Sequence, residues 1–166
     1  MRTLHVARIA LLLTAVSLAS GCAVADVQSN PASYPLDLRL VTSSTPGSCS
    51  APPLTADVAG SACDLEGSTT YVLGTPLATV TPKSVAQQTQ AAGPSVVATF
   101  GPTDTTTLRD VTTSQVNKQV AVLLDGKVIS APVVKAPITD GSMTFTYSTA
   151  SQADDVAAAL GVRSTP

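Results

Sequence analysis

The segment from Gln119 to Ile129 constrains the fold more than any other stretch of this chain. Two apolar runs, Val120-Ala121-Val122-Leu123-Leu124 and Val128-Ile129, flank Asp125-Gly126. Asp-Gly supplies the two positive φ angles of a type I′ turn, so the segment predicts a tight β-hairpin. Its first arm is apolar on both faces, which predicts a central strand covered by helices. Pro132 lacks an N–H and is expected to end regular pairing on the second arm.

The remaining pattern assembles around that hairpin. Thr70-Tyr71-Val72-Leu73 reads as a strand followed by a Gly-Thr-Pro turn. Thr81-Pro82 has the form of an N-cap with Pro at the first helical position, predicting a helix to about Ala91 that stops at Gly93-Pro94. Val85, Ala86 and Thr89 would form its narrow buried stripe. Ser95 to Phe100 is rich in β-branched residues and predicts a strand. Thr103-Asp104 can cap a second helix to roughly Thr113, pinned through Leu108 and Val111, although its Thr-rich face forms helix poorly. Met143 to Tyr147 alternates and predicts another strand. Ser151-Gln152-Ala153-Asp154 has the form of a capping box with Asp in place of Glu. Ala153, Val156, Ala157 and Leu160 then make the inner stripe of a last helix ending at Gly161. The predicted order from Thr70 is β-α-β-α-β-β-β-α, an α+β fold whose largely antiparallel sheet is packed by two to three helices.

Residues 1–21 read as a signal peptide. Arg2 and Arg8 give the positive start, Ile9 to Val16 the apolar run, and Ala19-Ser20-Gly21 the small residues before Cys22. The run is shorter than the ~20 apolar residues of a bilayer span. This stretch resembles the lipobox of bacterial lipoproteins, whose Cys receives acyl chains such as palmitate and becomes the first residue. The commonest form of that box has Leu three positions before the Cys; here Ala19 stands there and Leu18 lies one further out. The alternative is an ordinary secretory signal cut after Ala23 or Ala25. The lipoprotein reading makes Cys22 the lipidation site and implies a membrane anchor on the outer face, each buried CH₂ adding about 0.8 kcal/mol. Residues 22–35 are small, polar and broken by Pro, as expected of a tether.

Residues 36–69 are expected to be irregular apart from a short strand at Leu36 to Val41, with Leu36, Leu38 and Leu40 on one face. The loop over 43–68 holds Cys49 and Cys63. With Cys22 acylated these are the two thiols left in an exported chain, and an even number in an oxidising compartment favours a disulfide. Such a staple is worth about 3 kcal/mol in the chain-entropy model. A redox pair or a metal site is the alternative, but there is no Cys-x-x-Cys spacing and no third ligand.

Composition now excludes several functions. The single His is His5, inside the predicted signal peptide. A chain without it has no imidazole, hence no Ser-His-Asp or Cys-His catalytic unit and no His-ligated metal. Removing residues 1–21 also takes Arg2 and Arg8, leaving seven basic against eleven acidic residues, a net charge of −4. That sign repels nucleic acid and anionic lipid alike. No Asp-x-Asp-x-Asp calcium loop is present, and no metal or cofactor is expected. The rings, Tyr34, Tyr71, Phe100, Phe145 and Tyr147, are too few for carbohydrate stacking. Lys83, Lys118, Lys127 and Lys135 with many Ser leave a Ser-Lys hydrolase formally open, yet no nucleophile–base pair can be named. Asp154 and Asp155 point about 100° apart on a helix, so they read as charges favoured by its N-terminus rather than as a catalytic pair.

Lys118 to Val133 as a whole (Lys-Gln-Val-Ala-Val-Leu-Leu-Asp-Gly-Lys-Val-Ile-Ser-Ala-Pro-Val) resembles the SecD protein-export subunit. The similar stretch lies in the head subdomain of SecD's first large extracytoplasmic domain. That family places an apolar strand, an Asp-Gly-Lys-Val turn and a Ser-Ala-Pro segment in this order. Upstream, the Tyr-x-Leu-Gly strand at Tyr71, the capped helix, the strand ending in Thr99-Phe100 and the helix with Leu108 and Thr112 also fit. Downstream fit Pro137-Ile138, Gly141, a short strand and a Ser-rich cap into an Ala-Leu helix. The resemblance covers about residues 70–162, with 163–166 as a tail.

It implies a SecD head-like domain, but not the family's membrane helices, intramembrane charges or base subdomain, which find no match here. Of the family's roles it therefore implies only contact with polypeptide emerging from the translocon. Asp125, Gly126, Lys127, Ser130, Ala131 and Pro132 are expected to be turn and edge scaffold, and a candidate binding edge. An exposed edge at the Ser-Ala-Pro segment could accept an extended chain by β-addition, or the 43–68 loop could cap it. The expected function is a non-enzymatic, lipid-anchored binding module for exported polypeptide or the export machinery. The alternative is an envelope lipoprotein using the same fold for an unrelated protein or ligand.

Overall fold

The computed structural model describes residues 34–161. The predicted signal peptide, the lipidation site Cys22, most of the tether and the 163–166 tail lie outside the described residues. The elements in order are β1 (Leu36–Pro46), β2 (Gly60–Cys63), β3 (Thr69–Val80), β4 (Pro82–Gln90), β5 (Gly93–Phe100), α1 (Pro102–Ser114), β6 (Val120–Leu124), β7 (Lys127–Ser130), β8 (Ser142–Thr146) and α2 (Ala150–Ala159). They form two antiparallel sheets, ordered β2-β3-β1-β6-β7 and β4-β5-β8. The α+β class and the packing by two helices agree with the sequence.

Asp125 and Gly126 adopt φ of 48° and 74°, the left-handed pair a type I′ turn needs. All five residues of β6 are buried, because the two faces of its sheet are covered differently. Val120, Val122 and Leu124 enter the main core, which also receives Leu36, Val85, Val96, Phe145 and the inner stripe of α2. Ala121 and Leu123 enter a second cluster with Ala62, Leu73 and Val128, against which Leu54 packs. The second cover is thus the stapled loop and not a helix.

Three other expectations are corrected. Residues 82–90 are a strand, paired with β5 from Pro82↔Phe100 to Gln90↔Gly93. Only Val85 on the predicted helical stripe is fully buried, a face too narrow to hold a helix, whereas β5 gains a partner along its length. The Gly-Thr-Pro turn is absent: β3 continues through it, and Pro76 sits opposite Arg39 where the β1–β3 register shifts, a place that tolerates Pro. Residues 36–69 hold more strand than expected: the strand predicted at Leu36 to Val41 is present and runs on to Pro46 as β1, between β3 and β6, and β2 pairs with β3.

The last helix begins earlier than the sequence suggested. Its cap is Thr149, whose hydroxyl accepts from Gln152 N, while Gln152 returns its side-chain oxygen to Ser148 N–H. Asp154 therefore lies beyond the first turn, where it accepts from Gln87 Nε2 on β4.

Candidate functional site

Cys49 and Cys63 form a disulfide with Cα atoms 5.6 Å apart. The loop it closes lies on the hairpin tip: Leu54 N–H donates to Gly126 O at 2.9 Å. A Cβ on Gly126 would stand 2.5 Å from Leu54 N, so only glycine fits this approach. The loop is also held by Arg39, which sequence reasoning missed. Its guanidinium is 0% exposed and donates to Val58 O at 2.7 Å and Ala56 O at 2.8 Å. Gly126 is thus packed under the loop, while Asp125 and Lys127 are exposed on either side of it.

The other motif residues point elsewhere. Ala131 packs on the second cluster, while Ser130 and Pro132 line a groove of about 520 Å³. Pairing does not stop at Pro132: its carbonyl accepts from Val120 N–H at 3.0 Å, and Val134 N–H donates to Lys118 O at 2.9 Å. Residues 130–138 form one wall of the groove. The opposite wall is β8, from Ser142 to Thr146.

The hydrogen-bond alternation of β8 decides what this wall offers. Phe100 N–H donates to Gly141 O and Tyr147 N–H donates to Pro94 O. Odd-numbered residues of β8 therefore turn their backbone groups toward β5, and Thr144 and Thr146 turn theirs away from it. Among the described residues no hydrogen bond satisfies the backbone of Thr144 or Thr146. Met143 and Phe145 anchor the strand in the core. By the same logic the backbone of Val133 faces away from Gln119, to which it is bridged.

The capped-edge alternative holds at one point only. Asp64 forms a parallel bridge with Val128, and among the described residues no strand pairing to the stapled region continues beyond β7. At the opposite edge of the smaller sheet, β4 opens with Pro82-Lys83, features that discourage strand addition. Val133 is an exposed apolar residue lining the groove. The alternation of Met143 to Tyr147 predicted a strand, but neither its edge position nor its free side was readable.

At the Tyr147 end a smaller cavity of about 140 Å³ adjoins the groove, and Ser130 lines both. Tyr147 Oη donates to Ile129 O at 3.2 Å. Burial, and then the Glu66 charge, push its phenol well above the ordinary range. Tyr71 is raised by burial and by Asp64 and Glu66. Burial opposes ionisation of Asp64, but hydrogen bonds from Ser68 and Thr69 outweigh it and hold the carboxyl below its usual value. Among the described residues no cluster of His, Cys, Asp or Glu is arranged to hold a metal. None of their helices is long and apolar enough to cross a membrane.

The SecDF P1 head subdomain family matches residues 68–164. Protein translocase subunit SecD of Dictyoglomus turgidum is 44% identical over 57 residues, which are 34% of this chain and 14% of that protein. The SecD of Acidaminococcus fermentans is 38% identical over 84 residues, 50% of this chain and 20% of that protein. The chain thus matches only a small part of these relatives. A crystal structure of SecDF in a super-membrane-facing form superimposes with a TM-score of 0.53 at 26% identity, over 80% of this chain and 19% of that one. A second structure, of SecDF as a membrane component that enhances protein export, gives 0.53 at 25% identity over 82% and 66%. With more than half of its length matched, this chain belongs to the SecDF P1 head subdomain family.

Proposed function

We propose that this domain is a polypeptide-binding module of protein export, presented outside the membrane by a lipid anchor on Cys22. Extended segments of exported polypeptide add to the open edge of β8 as a further strand. The observation that carries this reading is the unsatisfied backbone of Thr144 and Thr146 along a groove of about 520 Å³. Main-chain hydrogen bonds would give affinity with little regard to sequence, which suits a partner that changes with every exported protein. The module acts by binding rather than catalysis.

Thr144→Pro tests the reading directly. Proline removes a donor that faces the groove and leaves the β5 ladder intact. We expect the affinity for an unfolded, Val/Thr-rich peptide to fall about tenfold, the equivalent of one charge-neutral hydrogen bond of ~1.4 kcal/mol. A peptide N-methylated at alternate amides is expected to lose binding to the unmodified protein by the same mechanism. Equal binding of methylated and unmethylated peptides contradicts strand addition.

A further inference from the structure

The groove does not end at Thr146. Tyr147 follows directly, and the adjoining cavity of about 140 Å³ is large enough for one side chain. We propose that this cavity receives a single basic side chain, Lys or Arg, from the polypeptide segment lying on β8. The proposal rests on the strand-addition reading and adds to it a position and a charge.

The walls of the cavity match the two halves of a basic side chain. Tyr71, Tyr147, Val128 and Val156 offer apolar and ring surface to the methylene stem. Asp64 and Glu66 supply negative charge, and no cationic residue lines the cavity. Asp64 is held ionised by Ser68, whose N–H and hydroxyl donate to its two oxygens, each at 2.7 Å. Glu66 is exposed and makes no ion pair among the described residues, so its carboxylate is available to a ligand. Burial, and then the charges of Asp64 and Glu66, raise the Tyr71 phenol, and Glu66 adds to the burial that raises Tyr147. A cation over a tyrosine face gains further from the ring quadrupole.

Charge complementarity also orients the occupant. Ser130 lines both the groove and the cavity, which puts it at the Tyr147 end of the 130–138 wall. Lys135 lines the groove but not the cavity. A basic residue is thus attracted at the Tyr147 end and repelled beside Lys135, which sets the register of a strand whose main-chain bonds alone would not.

The test uses the purified protein and one extended Val/Thr-rich peptide in which a single position, scanned along its length, carries Lys, norleucine or Glu. Norleucine keeps the stem and removes the charge. At one position the Lys peptide is expected to bind about fivefold tighter than the norleucine peptide, with the Glu peptide weakest. Glu66→Gln, an exposed and conservative change, is expected to abolish most of that preference while leaving norleucine-peptide affinity unchanged. Equal affinities for Lys and norleucine at every position, or a preference that survives Glu66→Gln, overturn the subsite while leaving strand addition standing. Absence of binding by every peptide overturns both.

Discussion

Arg39 is the only charged side chain fully buried among the described residues, and its role shows what one residue contributes here. It lies on the face of β1 opposite Leu36 and Leu38, where alternation alone would place a solvated charge. Instead the 56–58 backbone folds over it and supplies two carbonyl acceptors, and Asp37 stands 3.9 Å away. These partners come from far along the chain, so no local pattern in Leu-Asp-Leu-Arg-Leu could reveal them. Arg39→Met fills the volume but leaves the carbonyls of Ala56 and Val58 unpaired. It is expected to lower unfolding stability by about 2–3 kcal/mol in urea titrations. Unchanged stability would mean that the loop is held by the disulfide and Leu54 alone.

At the scale of elements, the hairpin and the loop over it form one unit. The turn was legible because Asp125-Gly126 carries its own backbone requirement, and its two positive φ angles are observed. The helix expected over 82–90 was not, because Ala and Gln residues are compatible with helix while the strand partner, β5, is chosen by tertiary pairing. Arm β6 was correctly read as covered on both faces, but a sequence cannot say that the cover is a loop. The disulfide closes that loop, so the double variant Cys49→Ala/Cys63→Ala is expected to lose about 3 kcal/mol of stability. Thermal unfolding with and without reductant measures this, and the variant's midpoint should be insensitive to reductant.

For the whole molecule, two sheets sharing one core leave the groove-facing backbone of β8 unpaired among the described residues. The family and the α+β class were readable from Lys118 to Val133, because that motif combines a turn, a buried strand and an edge in fixed order. The groove was only half readable: Ser130 and Pro132 came from the motif, whereas Thr144 and Thr146 depend on how β8 registers against β5. Residue-resolved amide hydrogen exchange by NMR tests this arrangement most directly. In the free protein the amides of Thr144 and Thr146 should exchange much faster than those of Met143, Phe145 and Tyr147. On saturation with an extended peptide they should become protected, while their odd-numbered neighbours change little. Slow exchange of Thr144 and Thr146 in the free protein would mean that the edge is closed, and no added protection with peptide bound would mean that it takes no strand.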